Sequence, residues 1–248
     1  HVRSPAGISM VALAVLAVRR QPRHRWVKYA GNWQPTGPEP RTYALQRWWL
    51  NRGLARASVT VNGSWSDQPP WVHTFDNPTL TGEEVDRGRL VAQKKPPTPP
   101  LRVVFAGRLH QAKGVDRAVE AVLALRARGV QATLDVVGDG PLRSWVEDRC
   151  AADAPEAIRL HGSLSRRDLE ALLSASHVFL LPSTAEGFPK VVAEAMAFGC
   201  VPVTSGVGSL TQTLGETGGA IVVPDDGSWT DALHGLVDDR RRSDLVRV

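Results

Sequence analysis

The densest run of reactive groups in this 248-residue sequence is Pro182-Ser183-Thr184-Ala185-Glu186-Gly187-Phe188-Pro189-Lys190, followed by Glu194. Pro189 can open a helix, because its missing N–H falls where the first turn has no intrahelical partner anyway. Glu186 then lies in the loop ahead of that helix and Glu194 about one turn inside it. Both carboxylates sit at one mouth of whatever sheet the preceding strand belongs to. A carboxylate accepts from two neighbouring hydroxyls, which is how proteins hold sugars and ribose. Gly187 lets the backbone approach a ligand closely, and the N–H groups around Phe188 and Lys190 can face an anion. The same two acids also fit plainer roles, a capping acid and a solvated helix residue.

A second run, Gly107-Arg108-Leu109-His110-Gln111-Ala112-Lys113-Gly114, follows an apolar strand and precedes a helix. Arg108 and Lys113 flank that helix N-terminus, where unpaired N–H groups and the helix dipole favour negative charge. Two cations at this place suit a diphosphate; two solvated surface cations on an ordinary turn would look the same. The turn Gly138-Asp139-Gly140-Pro141-Leu142-Arg143 resembles a dinucleotide fingerprint, but Arg143 stands where a third glycine would let helix and strand pack closely. A nicotinamide or flavin site is therefore disfavoured against a tight turn with Pro141 at the first helical position.

The elements that must position these loops alternate. Apolar runs at 103–106, 133–137, 158–160, 178–181, 201–203 and 221–223 are separated by helical patterns at 115–128, 141–152, 166–174 and 190–198. Strands apolar on both faces with helical crossovers predict a parallel, doubly wound sheet, which binds ligands beyond the carboxyl ends of its strands. The run Lys94-Lys95-Pro96-Pro97-Thr98-Pro99-Pro100 cannot lie inside a helix or central strand and reads as a linker. Six of the eight tryptophans precede it, so three segments are expected: a domain over 1–93, a linker over 94–100 and a domain over 101–248. The first is less regular, with helices near 8–18 and 43–55 and strands at 26–29, 58–61 and 72–75. It reads as part of a second α/β domain whose opening strands are missing.

Composition excludes several classes. With 42% hydrophobic and 22% charged residues the chain can bury a core. Two isolated cysteines, Cys150 and Cys200, make neither a disulfide framework nor a cysteine-rich zinc site, and a reducing cytoplasm is the default. The net charge is +5, with 25 of the 30 basic residues arginine. The longest apolar stretch, 8–18, is well short of the roughly 20 residues that cross a bilayer. The sequence opens on His1 and shows no signal peptide, so it reads as beginning inside a longer protein. No recognition helix, zinc finger or aromatic RNA-binding strand appears, which argues against nucleic acid as a partner.

Taken in order, Phe105-Ala106-Gly107-Arg108-Leu109 with Lys113-Gly114, Gly138-Asp139-Gly140-Pro141, His161-Gly162-Ser163-Leu164 and the block from Glu186-Gly187-Phe188 to Glu194-Ala195-Met196 resemble the C-terminal domain of GT-B-fold retaining glycosyltransferases of family 4. The likeness covers roughly 101–237. It implies an α/β protein of two Rossmann-like doubly wound domains, the N-terminal one incomplete, that moves a sugar from a nucleotide-diphosphate donor to an acceptor, whether glycan, lipid or small molecule. By that resemblance Gly107, Arg108, Lys113 and Gly138 surround the diphosphate. Glu186 takes the sugar hydroxyls, the N–H groups near Phe188 and Lys190, in the loop shaped by Gly187 and Pro189, face the phosphate next to the sugar, Glu194 holds the ribose and Leu164 lies beside the base.

The resemblance further implies retention without a covalent intermediate, the departing phosphate helping to deprotonate the acceptor, and neither metal nor cofactor. His1, if at a strand end, matches a histidine that family members place near the donor sugar. Glu84 and Asp86 have an Asp-x-Asp-like spacing but fall in a polar stretch, and Asp225-Asp226 reads as a turn. The segment 41–56, with Trp48-Trp49-Leu50, could rest on an anionic membrane, although its apolar positions do not separate cleanly from its arginines and fit a domain helix better. Two other readings stay open: a binding module for nucleotides or sugar phosphates without turnover, and a nucleotide-sugar epimerase of the same fold.

Overall fold

The computed structural model describes residues 1–19, 21–35, 37, 39–75, 79–95, 99–153, 156–224 and 227–246. Residue contacts divide the chain into two compact units. The first comprises His1–Asn77 with Ala185–Phe188 and Val207–Thr213; the second comprises Pro78–Thr184, Pro189–Gly206 and Leu214–Val248.

In the first unit, strands β1 (Val2–Ser4), β2 (Trp26–Tyr29), β3 (Ser58–Val61) and β4 (Val72–Thr74) form a parallel sheet in chain order. Helix α1 (Gly7–Val18) joins β1 to β2 and α2 (Arg41–Asn51) joins β2 to β3. Val27, Tyr29, Val59, Val61 and Val72 pack with Leu13 of α1, Leu50 of α2 and Trp33 into one core. Burial of such side chains supplies about 1.5–3 kcal/mol each. β1 was not foreseen as a strand: three residues give too short a pattern to read.

The second unit begins with α3 (Gly82–Ala92). Its sheet holds β5 (Leu101–Ala106), β6 (Ala132–Val137), β7 (Ile158–Gly162), β8 (Val178–Leu181), β9 (Val201–Ser205) and β10 (Ile221–Val223). Every pairing is parallel, and the order is β10-β9-β8-β5-β6-β7. Helices α4 (Val115–Ala127), α5 (Arg143–Asp153), α6 (Arg166–Ala175), α7 (Lys190–Ala197) and α8 (Leu210–Thr217) make the crossovers, with α9 (Trp229–His234) and α10 (Asp239–Val246) following. Strand order reverses between β5 and β8, the topological switch point at which open α/β sheets bind ligands.

The contact division runs differently from the expected boundary. Residues 82–92 group with the second unit, because α3 packs on α6 and α7. There the backbone of Gly88 lies so close to α7 that a β-carbon would stand 2.2 Å from the Ala197 carbonyl oxygen. The capping box of Thr81 and Glu84 starts this helix. Within the expected linker Lys95 belongs to the second unit, where it donates to the carbonyls of Leu173, at 2.9 Å, and Ser176. Pro96, Pro97 and Thr98 lie outside the described residues, as do Asp225 and Asp226.

Candidate functional site at the switch point

Each loop at the carboxyl edge of the second sheet is held by backbone bonds to the next. After β5, Gly107 donates to Val137 at 3.0 Å and Leu109 to Asp139 at 2.9 Å. Leu142 donates back to Leu109 at 2.9 Å, and Gly138 donates to Gly162 at 2.8 Å. These approaches demand glycine: at Gly138, with φ +132°, a β-carbon would stand 1.9 Å from the Gly107 carbonyl oxygen. Such a contact is sterically forbidden for any side chain.

The loops after β5 and β8 meet as closely. Thr184 donates its N–H to Ala112 at 2.9 Å, and Arg117 Nε donates to the Pro182 carbonyl at 3.0 Å. Gly114, with φ +75°, leaves no room for a β-carbon, which would sit 2.1 Å from that same Pro182 oxygen. His110 Nδ1 accepts from Ala112 N, opening a single 3-10 turn over Gln111–Lys113, and α4 starts immediately after Gly114. Arg108 is therefore exposed on a loop rigidly fixed to its neighbours, and Lys113 is half-buried one residue before the glycine. A cation on a pre-set loop costs little ordering when it takes a phosphate.

The turn after β6 settles the place of Arg143. It begins α5, and its guanidinium pairs with Asp139 at 3.3 Å and Glu147 at 2.8 Å along the helix surface. Helix α5 starts at Arg143, so Pro141 precedes it rather than occupying its first position. After β7, Leu164 is half-buried, and Ser165 caps α6 by accepting from Asp168 N at 3.2 Å.

Glu194 projects from α7 into a charged group that the sequence alone did not reveal. Arg166 of α6 pairs with Glu84 of α3 at 2.8 Å and with Glu170 at 3.2 Å. Burial holds the Glu194 carboxyl above the usual carboxylate range, while the Arg166 charge opposes that rise. Arg166 is thus the stronger of two cations that act on Glu194, ahead of Lys190, and the only sequence signal for it was a basic residue opening a helix. Pro189 is the residue just ahead of α7, and Lys190 is its exposed first residue.

Glu186, Gly187 and Phe188 group with the first unit. Glu186 is only 8% exposed. Ser209 donates to the Gly187 carbonyl from its N–H at 3.3 Å and from its hydroxyl at 3.0 Å. A β-carbon on Gly187 would stand 2.3 Å from the Ala30 carbonyl oxygen. The glycine expected to admit a ligand therefore admits the protein's own backbone.

His1 precedes β1 and stacks on Trp26, the first residue of β2, with ring centroids 4.4 Å apart. That is the amino edge of the first sheet, whereas parallel sheets place their ligands at the carboxyl edge. Helix α2 is neither all core nor all surface: Trp48 is exposed, Trp49 half-buried and Leu50 fully buried. Among the described residues no helix is long and apolar enough to cross a membrane.

A doubly wound sheet whose loops are bonded to one another at its switch point places them where open α/β sheets bind ligands. Comparison with known proteins narrows the class. The chain belongs to the family of glycosyl transferases group 1, whose model matches residues 100–239. It is 33% identical over 151 residues to a glycogen synthase of Mycobacterium tuberculosis, which covers 60% of this chain and 36% of that protein. It is 37% identical over 121 residues to a GDP-mannose-dependent phosphatidylinositol dimannoside mannosyltransferase of the same species, covering 48% and 31%. The chain thus spans about a third of the length of these relatives. The fold is GT-B-like: the solved structure of Anabaena HepE with UDP superposes with a TM-score of 0.68 at 17% identity, covering 95% of this chain and 69% of that one. The pneumococcal O-GlcNAc transferase GtfA with UDP and GlcNAc superposes at 0.66 and 18%, covering 97% and 51%.

Proposed function

We propose that this protein is part of a retaining, metal-independent glycosyltransferase of family 4 that takes its sugar from a nucleotide diphosphate. The observation that carries the reading is the fusion of the Arg108–Lys113 loop to the loop after β8 at the switch point, through Thr184 to Ala112 and Gly114 against Pro182. Similarity to proteins described as GDP-mannose-dependent, and to structures solved with UDP, supports a nucleotide-sugar donor.

In this reading Arg108 and Lys113 hold the diphosphate, aided by the loop backbone at Gly107 and Gly138. Glu186 accepts from the sugar hydroxyls, the N–H groups of Phe188 and Lys190 face the phosphate next to the sugar, Glu194 accepts from the ribose and Leu164 lies along the base. The bond from the anomeric carbon to the phosphate oxygen breaks while the acceptor oxygen bonds to that carbon from the same face, and the acceptor proton passes to the departing phosphate. Negative charge grows on that phosphate in the transition state, so cations fixed beforehand lower the barrier more than mobile ones. The acceptor is a glycan, a lipid or a small molecule. A cytoplasmic place, in contact with an anionic membrane through the exposed Leu45 and Trp48 of α2, belongs to the same proposal.

The test is transfer or hydrolysis of radiolabelled nucleotide sugars by the protein and by Glu186→Ala. Loss of turnover by about a hundredfold or more with retained circular dichroism is expected, since one lost charge-assisted contact is worth about 2–4 kcal/mol in the transition state. Nucleotide-sugar binding with no turnover in the parent protein would favour the non-catalytic module instead.

A further inference from the structure

Charge is divided unevenly along the chain. Residues 1–77 carry ten Lys and Arg against three Asp and Glu, a net charge of +7, whereas residues 78–248 carry 20 against 22. Within the first unit much of this positive charge surrounds a single cavity of about 750 Å³ at the amino edge of the sheet. Arg23 and His24 enter it from the segment before β2, and Arg52 and Arg56 from the connection between α2 and β3. Among the described residues no acidic side chain lines it.

Two tryptophans wall the cavity, and both rings are fixed by their own hydrogen bonds. Trp26 Nε1 donates to Thr60 Oγ1 at 2.8 Å and Trp71 Nε1 to the Leu50 carbonyl at 2.9 Å. With their polar atoms engaged, the rings offer apolar surface to a ligand. The floor is fixed as well, because Arg25 spends its guanidinium on the carbonyls of Pro22, Leu16 and Arg19. Arg56 holds φ +47°, a left-handed conformation that glycine or asparagine adopts more easily, yet an arginine occupies it. Like charges gathered without a counter-ion repel one another, and a polyanion relieves that repulsion. Arginine forks match phosphoryl oxygens in pairs, while flat aromatic walls suit a ring.

We propose that this cavity binds a ring compound carrying at least two phosphoryl groups, a bisphosphorylated sugar or cyclitol, at a site separate from the donor loops. Arg23, with the His24 ring beside it, takes one phosphoryl group; Arg52 and Arg56 take the second; and the ring lies against Trp26 and Trp71.

The experiment is calorimetric titration of the full chain with fructose 1,6-bisphosphate, with unphosphorylated fructose as the ring-only control and phosphatidylglycerol vesicles as the surface control. The proposal expects binding of the bisphosphate that weakens as salt rises, and none of fructose. It expects the double variant Arg52→Gln/Arg56→Gln, both at exposed positions, to weaken binding about tenfold or more, and Arg108→Gln/Lys113→Gln to leave it unchanged. Three results would overturn it: no binding at millimolar bisphosphate, loss in the Arg108/Lys113 variant rather than in the Arg52/Arg56 variant, or vesicle binding through Arg52 and Arg56 without binding of the free bisphosphate. Because the donor variants are a separate arm, failure here is distinguishable from failure of the transferase reading.

Discussion

The backbone N–H of Thr184 reaches the carbonyl oxygen of Ala112 at 2.9 Å, across 72 residues of sequence. This bond ties the loop that carries Lys113 to the loop that leads into Glu186, at the one place in the second sheet where strand order reverses. The glycines beside it set how closely those loops can approach.

Glycine at that edge is therefore predicted to be irreplaceable. Gly138→Ala would push a methyl group into the Gly107 carbonyl from a backbone with φ +132°. The expected cost is about 2 kcal/mol or more in urea unfolding, with nucleotide affinity falling alongside. Gly215→Ala, at a helical position with nothing within 4 Å of the new methyl group, is the comparison expected to stay within about 0.5 kcal/mol or to gain slightly.

Glu194 trades stability for its position. Its carboxyl titrates above the unfolded value because it is buried, so between the two values the folded chain holds a proton that the unfolded chain has lost. Stability from this group is greatest in acid and declines as pH rises through that window, where the half-buried carboxyl ionises. Glu194→Gln is thus expected to raise the melting temperature at pH 7 and to narrow the gap between pH 5 and pH 7, while weakening nucleotide binding. A drop in melting temperature at pH 7 would show the charge to be stabilising.

Lys95 anchors the second unit from inside. Its ammonium, with a pKa pushed below the usual lysine range by burial, donates to Leu173 and Ser176 and lies 3.4 Å from Cys200 Sγ. Lys95→Ala leaves two carbonyls without this donor and is expected to destabilise by about 1–3 kcal/mol in urea unfolding. The folded chain binds this proton less tightly than the unfolded chain does. The parent protein should accordingly gain stability from this group as pH rises towards the ordinary lysine value, and the variant should lose that gain.

Much of the second unit was legible because its strands are continuous apolar runs: Val178–Leu181 is buried at every position, and its bounds follow directly from the residues. The loops were legible for the same reason, since Gly107, Gly138 and Pro189 mark where strands stop and helices begin. Helix α3 was missed despite the Thr81-to-Glu84 capping box, because it is polar and short of buried residues, with Gly88 the one fully buried position. Its fit against α7 depends on a bare backbone rather than on an apolar stripe. The link from Arg166 to Glu194 was illegible because it joins α6 and α7 through charge, which leaves no periodicity. The position of His1 ahead of β1 was illegible because a three-residue strand leaves too short a pattern to read.

The claim on which the account turns is that Arg108 and Lys113 hold a nucleotide diphosphate, and titration calorimetry of the full chain with UDP and GDP tests it most directly. For at least one of the two nucleotides, measurable affinity is predicted, falling by about a hundredfold or more in Arg108→Gln/Lys113→Gln, since two charge-assisted contacts are lost at roughly 1.5–3 kcal/mol each. Equal affinity in parent and variant would contradict it.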